Sequence, residues 1–458
     1  MSSLFGILEM GKRMLSAQQM ATNIVGNNIA NVNTPGYSRQ AAELQPSHSI
    51  ESPWGPIGTG VEIDSIRRYR DSFLDDQMRE NNGTLGRWQS LEVSLSEIEA
   101  FLNETAESGL GAVLDGFWNS WQDLANDPEN KTSRTLVKEK ANSLTDTFHQ
   151  LATSLTNKCK SLDEKVVSTV QEINSILTEI ADLNRQLPAF TYEGSQANQL
   201  LDKQDLLLDN LSELIDIRVL RKGNGSVSVF IGTGLFVDGG EGRFLTIQRV
   251  TGGEIAVSSV RDETGSQVEI SGGKLNGLIE VRDERIPAYL TDLDEIAKAL
   301  VQAVNSSHSA GYGLDGTTGN DFFDSNKLSA AEITLDSAIT RNVLKIAASS
   351  DVSTGNNTIA LAIAGLKSSQ LLNGGTTTLN HAYANLVGSI GLDAQKASNN
   401  LENYQLLSEH IETQRQSVHG VALDEEMVNL IKYQHAYEAA ARVVTVVDEM
   451  ITSIIEMI

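Results

Sequence analysis

Apolar residues recur at helical intervals at both ends of this chain. Ile7, Met10, Met14, Ala17, Ala21 and Ile24 follow one another at steps of three and four. That spacing lines one face of a helix, as a narrow seam rather than a broad core face. It predicts a helix that stops near Asn31, after which Thr34-Pro35-Gly36-Tyr37 puts Pro second and Gly third in a type II turn. The far end is more regular still. Leu423, Met427, Leu430, Gln434, Tyr437, Ala441, Val444, Asp448, Ile451, Ile455 and Ile458 alternate steps of four and three, with polar residues only at Gln434 and Asp448. Asp424, Glu425 and Glu426 put negative charge in the first turn, where the helix dipole favours it.

Between these ends the pattern changes several times. Prolines and glycines gather over 45–60 and predict a loop, followed by a short strand at Val61 and Ile63 and a helix over 72–107. Asp127-Pro128-Glu129 reads as a helix start, with Asp as cap and Pro first inside. From there Leu162, Val166, Val170, Ile173, Leu177, Ile180 and Leu187 keep the helical spacing, interrupted at Asn184 and ended by Pro188. A leucine-rich helix covers 196–214. Over 217–273 short alternating runs (Val227 to Ile231, Leu245 to Ile247, Ile255 to Val257, Val268 to Ile270) are punctuated by Gly223-Asn224-Gly225, Asp238-Gly239-Gly240 and Gly252-Gly253. These are hairpin signals. Helix returns over 275–309, short strand-like pieces occur at 333–335 and 343–346, and helix covers 358–367. From Leu379 onward the chain is helical, with a break near Gly420.

The expected architecture is mainly α with an inserted small β domain, an α+β multi-domain chain whose N- and C-terminal helices pair as a coiled coil. Its expected units are a terminal tube-forming coiled coil (1–44 with 416–458), a helical core (45–216 with 274–415) and the β insertion (217–273). Charge supports the pairing. Residues 1–40 carry Lys12, Arg13 and Arg39 against Glu9, a balance of +2, whereas residues 421–458 carry Lys432 and Arg442 against seven acids, a balance of −5. Such pairs are individually weak and mainly set register. A bare pair would still leave Leu8, Leu15, Val443, Val446 and Ile454 outside, and several apolar stripes predict packing against further copies.

Composition narrows the function. A net charge of −25 over 458 residues disfavours nucleic acid and anionic membrane surfaces. The most apolar stretch, 439–447, contains Arg442 and precedes Asp448 and Glu449, so no membrane insertion is expected. The first residues lack the charge order and apolar core of a general secretory signal. Cys159 stands alone, which rules out an internal disulfide or a thiolate zinc cluster. The seven histidines form no HExxH pair, and no GxSxG or GxxxxGK[ST] occurs. His435 and Glu438, one turn apart, read as chance neighbours. Gly223-Asn224-Gly225 and Gly232-Thr233-Gly234 read as turns, and residues 315–321 lack the spacing of a calcium loop. No catalytic, cofactor-binding or metal site is expected. The chain reads as a structural subunit rather than an enzyme.

Three separated stretches share one resemblance. The run from Asn27-Asn28-Ile29-Ala30-Asn31 through Thr34-Pro35-Gly36-Tyr37-Ser38-Arg39-Gln40 resembles the signature of flagellar rod, hook and hook-associated proteins. Its ending Tyr37-Ser38-Arg39-Gln40 is similar to the hook-associated members, since rod and hook proteins more often have Phe and Lys after the glycine. Leu423-Asp424-Glu425-Glu426-Met427 through Tyr433-Gln434, Tyr437 and Ala441-Arg442 to Met450 resembles the matching tail of these axial proteins. Gly272 to Leu278, Arg282-Asp283, Asn305, His308 and Gly316 to Phe323 extend the likeness internally, with Phe117-Trp118, Asp127-Pro128 and Asp202 to Asp205. One departure is His419 before Gly420-Val421, where family members commonly have Ser.

The resemblance implies a junction subunit between hook and filament, exported by the flagellar type III apparatus and assembled as a ring at the distal hook end, outside the cell. It implies no cofactor. Its implied partners are the hook protein, a second junction protein, copies of itself, and a cytoplasmic chaperone holding the C-terminal helix before export. The terminal seams, including Met427, Leu430, Tyr437, Ala441, Val444, Ile451 and Ile455, would then form the assembly interface. The amides of Asn27, Asn28, Asn31 and Asn33 can donate and accept at once, satisfying a helix end and neighbouring subunits together. A secreted coiled-coil effector or adhesin would explain helices and acidity but not the paired terminal signatures. An enzyme domain on an axial scaffold would need a catalytic motif within 217–330.

Overall fold

The computed structural model describes residues 2–52, 55–102, 109–192, 197–250 and 257–457. Gly252-Gly253, Ile255, Ile458, the first residue of the 196–214 helix and the end of the 72–107 helix lie outside the described residues. The long helix α1 (Ser2–Ala30) is followed by β1 (Gln40–Pro46), a hairpin of β2 (Ser49–Ser52) and β3 (Gly55–Gly58), and β4 (Val61–Arg68), which runs antiparallel along β1. Next come α2 (Ser72–Leu102), α3 (Leu110–Asn126), α4 (Lys131–Tyr192) and α5 (Asn198–Leu214). The segment expected as an insertion holds β5 (Arg218–Arg221), β6 (Val227–Ile231), β7 (Gly234–Asp238) and β8 (Glu241–Gly242) as one antiparallel sheet, in that order. A separate pair, β9 (Thr246–Val250) and β10 (Val257–Arg261), completes it. Then α6 (Gly273–Glu280) passes through a π turn at Val281–Arg285 into α7 (Ile286–His308). An irregular stretch contains β11 (Tyr312–Gly313), α8 (Ser337–Arg341), β12 (Ala347–Ser349) and α9 (Thr358–Gly365). The chain ends in α10 (Leu379–His419) and α11 (Leu423–Glu456). The fold is α+β, mainly helical, with small antiparallel sheets.

Several expectations are corrected. The 45–60 loop is largely β structure: β2 and β3 pair as a hairpin, and Gly55, which opens β3, and Gly60, which precedes β4, take φ of +108° and +104°. Residues 110–126, assigned no element above, form α3. Asp127 does not cap α4. Asn130 does, its Oδ1 accepting from the N–H of Thr132 (2.8 Å), while Asp127 accepts from Asn130 Nδ2 (2.9 Å) in the turn before it. Pro188 does not end α4 but lies inside it, leaving the helix one backbone donor short four residues before its end at Tyr192. Residues 268–270 form no strand; the chain there turns toward Asp216, which accepts from the N–H groups of Ser271 (3.1 Å) and Gly272 (3.2 Å). At 333–335 only Leu335 makes a bridge, to Phe323, and 343–345 is a 3-10 turn preceding β12.

The 62-residue α4, roughly 90 Å long at 1.5 Å per residue, is the spine of the core. Leu162, Val166, Val170, Ile173, Leu177 and Ile180 are all 0–1% exposed. Polar residues on the same helix clamp the insertion. Asn184 accepts from Val227 N (2.9 Å) and donates to Val227 O (2.8 Å), and Asn174 does the same for Leu245 (2.8 Å each way). Asp163 accepts from Ser258 N (2.7 Å). The interruption at Asn184 is therefore a docking point: an amide presents a donor and an acceptor together and replaces a missing strand neighbour. Val227, Val229, Ile231 and Val237 join the same buried cluster as α4.

Aromatic residues close the other end of the core. Phe117, Trp118, Trp121, Phe322 and Phe323 pack with His308, which is 1% exposed. His308 Nδ1 donates to Asn320 O (2.7 Å) and Nε2 accepts from Ala347 N (2.8 Å), a pattern that only the neutral ring satisfies. Burial pushes its pKa down to about 4. The folded value lies below the unfolded one, so this stabilisation is complete above about pH 6.5 and is lost as pH falls toward 4. It is worth on the order of 3 kcal/mol. Urea midpoints at pH 7 and pH 5 should show the loss, and His308→Gln should flatten it; an equal slope in both proteins would contradict the assignment.

Candidate assembly site

The two terminal helices lie antiparallel. Asn28, near the end of α1, meets Glu426 at the start of α11, while Gly11 lies against Val444, where an added Cβ would come within 2.7 Å of the valine Cγ2. Small residues line much of this contact, beside the buried Ile24, Val25 and Val447. Gly11, Ala17 and Ala21 on α1 and Ala440 on α11 are buried, with Ala436, Ala441 and Val444 half-buried. Large apolar side chains on α11 face outward: Val428 is 65% exposed, Ile431 51%, Val443 43%, Val446 47%, Met450 51% and Ile454 39%. An isolated domain normally does the reverse, since burying a Val or Ile contributes roughly 1.5–3 kcal/mol.

A polar joint connects this pair to the core. The Thr34–Tyr37 turn closes through Tyr37 N to Thr34 O (3.2 Å), and Gly36 takes φ +76°, as the third position of a type II turn requires. The turn brings Tyr37, Arg39 and Gln40 back against Asn28, which is wholly buried. Asn28 Nδ2 donates to Gln40 O (2.8 Å) and to Glu426 Oε2 (3.0 Å). Its Oδ1 accepts from Gln40 N (3.0 Å) and from the Tyr37 hydroxyl (2.8 Å). Arg39 Nε donates to Glu426 Oε1 (2.7 Å), Nη1 reaches Glu425 Oε2 (3.2 Å), and the Arg39 N–H donates to His419 O (2.9 Å). Burial, with the charges of Asp202 and Glu426, pushes the Tyr37 hydroxyl up to about 12, so it stays a donor.

Beneath this lies an arginine–aspartate knot. Asp205, whose side chain has no exposed surface, is reached by Arg68 (3.1 Å), Arg70 (3.2 Å), Arg79 (3.4 Å) and Arg221. Burial alone would raise its pKa, but Arg70, Arg221 and Arg68 outweigh it and hold the carboxyl at about 2. Arg415 at the end of α10 bridges Asp75 (3.0 Å) and Asp209 (2.8 Å), and Arg70 pairs with Asp75 (2.7 Å). Strand β4, helices α2, α5 and α10, and the insertion's first strand thus meet at one point. The Ser38 N–H donates to Asp202 (3.4 Å) and Arg68 pairs with the same carboxylate (2.7 Å), which links the knot to the turn. His419 sits at the edge; burial, then Arg70 and Arg415, push its pKa down.

The predicted positions divide into two groups. Ala17, Ala21, Ile24 and Asn28 are buried, and Met10, Met14, Asn27 and Asn31 are half-buried, whereas Ile7 is 41% exposed. On α11, Leu430, Ala441, Val444 and Ile451 are half-buried, while Met427, Tyr437 and Ile455 are 56%, 42% and 67% exposed. Glu426 and Val444 meet Asn28 and Gly11 of α1, and Glu426, Ala440 and Val447 are the buried residues of α11, with Tyr433 half-buried. Leu8 and Leu15 are half-buried. Thr34, Pro35 and Gly36 are exposed and Tyr37 is half-buried. Of the charged pairing expected between the ends, Arg39 with Glu425 and Glu426 accounts for the ion pairs among the described residues. The sequence reading missed Glu426 as a seam residue and the whole aspartate knot. Two signals could have found them: a carboxylate three to four residues before Leu430, and Asp202 and Asp205 one turn apart on a leucine-rich helix beside Arg68-Tyr69-Arg70.

Three family models match this chain. Residues 8–37 match "Flagella basal body rod protein", residues 95–323 "Flagellar hook-associated protein FlgK helical domain", and residues 411–457 "Flagellar basal body rod FlgEFG protein C-terminal". Flagellar hook-associated protein 1 of Bacillus subtilis (strain 168) is 35% identical over 99% of this chain and 98% of its own length. The proteins of that name from Salmonella typhimurium and Escherichia coli K12 are 26% and 24% identical, each over 97% of this chain and 98% of the relative. The structure of the flagellar hook junction protein FlgK from Burkholderia pseudomallei superposes with a TM-score of 0.68 at 16% identity, covering 75% of this chain and all of that one, which supports the fold. A joint that ties paired terminal helices to a helical core, and relatives aligned over nearly their whole length, lead to one conclusion: this chain belongs to the flagellar hook-associated protein 1 (FlgK) family of flagellar structural proteins.

Proposed function

We propose that the chain forms the junction between hook and filament, assembling as a ring at the distal hook end after export by the flagellar type III apparatus. The observation that carries this reading is the outward apolar stripe of α11, from Val428 to Ile454, left open on a helix that buries Ala440 and Val447 instead. In a ring, that stripe and the exposed Met427, Tyr437 and Ile455 would pack against neighbouring copies and against the hook and second junction proteins. The same helix, before export, would be the segment a cytoplasmic chaperone holds. Residues 1–44 with 416–458 would act as the tube-forming unit, 45–216 with 274–415 as the core, and 217–273 as an outer insertion. The role is mechanical and not catalytic. Export through the flagellar channel fits a chain whose described helices include none long and apolar enough to cross a membrane.

Deletion of the gene in the source bacterium tests this reading. Hooks without filaments, with flagellin shed into the medium, are the expected result. Normal filaments would refute it.

A further inference from the structure

The apolar contacts between α1 and α11 do not by themselves fix how far along α1 the last helix sits. Tyr433, Ala440, Val447 and Ile454 follow Glu426 at intervals of seven. Sliding α11 by one heptad, about 10 Å at 1.5 Å per residue, puts Tyr433 where Glu426 was and another apolar residue at each later position. Glu426 breaks this degeneracy. Its carboxylate is 2% exposed and takes Asn28 Nδ2 at 3.0 Å and Arg39 Nε at 2.7 Å. Asn28 is itself held by Gln40 and Tyr37, so its position is set by the turn and not by α11. In the slipped arrangement Asn28 and Arg39 would face a phenol, and the carboxylate would lie beyond the end of α1. A buried polar partner at one position of an apolar seam is a well-attested way to specify register.

We infer that Glu426, through Asn28 and Arg39, is the residue that sets the register of α11 on α1. It thereby sets the axial height at which Val443 and Val446 are offered to a neighbouring copy. This deepens the assembly reading above, but it is measured on the purified chain, so it can fail while the deletion phenotype stands, and the reverse.

The test is a competition between two disulfides. A Cβ at Gly11 would lie 4.0 Å from Val444 Cβ, within the disulfide range. In a Cys159→Ala background, one chain carries Gly11→Cys, Val444→Cys and Ile451→Cys, so residue 11 can pair with the native position or with the position one heptad away. Equilibrated in a glutathione redox buffer, the products are counted by peptide mass spectrometry. With Glu426 present, the 11–444 bond should exceed the 11–451 bond by about ten to one or more, the usual weight of a buried charge-assisted hydrogen bond. Glu426→Ala should bring the ratio near parity, and Asn28→Ala, which removes the other half of the contact, should move it the same way. A ratio unchanged in both variants would overturn the inference, because a residue that merely adds stability would lower both products alike. Absence of both bonds with Glu426 present would overturn it too, since an undocked helix has no register to set.

Discussion

With Val443→Asp and Val446→Asp together, the isolated chain should unfold at nearly the parent temperature while filament formation in the complemented deletion strain is lost. Both side chains are already 43% and 47% exposed, so each substitution should change monomer stability by no more than about 0.5 kcal/mol. In the ring the same carboxylates would be buried without partners, at several kcal/mol each. Thermal unfolding of the purified variant and electron microscopy of the cells read the two halves separately. Filaments at parent frequency would show that this stripe faces no neighbour, and a large fall in thermal stability would show that it belongs to the monomer's own core.

The second large effect is on stability. Asp205→Ala removes the carboxylate on which Arg68, Arg70, Arg79 and Arg221 converge. Breaking a buried ion pair by deleting one partner costs about 3–5 kcal/mol, and here the buried arginines lose the carboxylate they share while Arg68, Arg70 and Arg79 keep Asp202, Asp75 and Asp209. The loss should appear as a lower urea midpoint, and hydrogen exchange should rise first in β4, the start of α2 and α5, which the knot joins. Since Asp205 is held at about 2, below its unfolded value, its contribution is present above about pH 4 and fades as pH falls through 2. The variant should therefore differ from the parent fully at pH 7. A variant as stable as the parent at that pH would mean that the knot positions the joint without supporting the fold.

Much of this was legible in the sequence, and the parts that were not share physical causes. The long helices and the β insertion follow from period: three-four steps over 423–458 and alternation over 227–231 leave little choice. Which stripe of α11 faces α1 did not follow, because α11 carries several apolar stripes and periodicity cannot rank them. The pair chose the one that lets backbones approach, through Ala440 against a helix bearing Gly11, Ala17 and Ala21. The 45–60 hairpin was hidden because the residues that permit tight turns also mark loops. Asn184 read as an interruption, although an amide in a helix face can clamp a strand. The aspartate knot was the least visible, since Arg68, Asp205 and Arg415 lie far apart in the chain and only folding brings them together. What the sequence made plain was the Asn-rich run and the Thr34–Tyr37 turn. Asn28 proved to be the amide that ties that turn to α11, a bond no local pattern announces.

The central claim is that the outward stripe of α11 becomes an interface between subunits. A single cysteine measures it directly: Val446→Cys in a Cys159→Ala background, labelled with maleimide in the free chain and in isolated hook–filament complexes. The free chain should label readily, and the assembled chain at least about ten-fold more slowly, as burial in a packed interface demands. Equal labelling in both states would contradict the account.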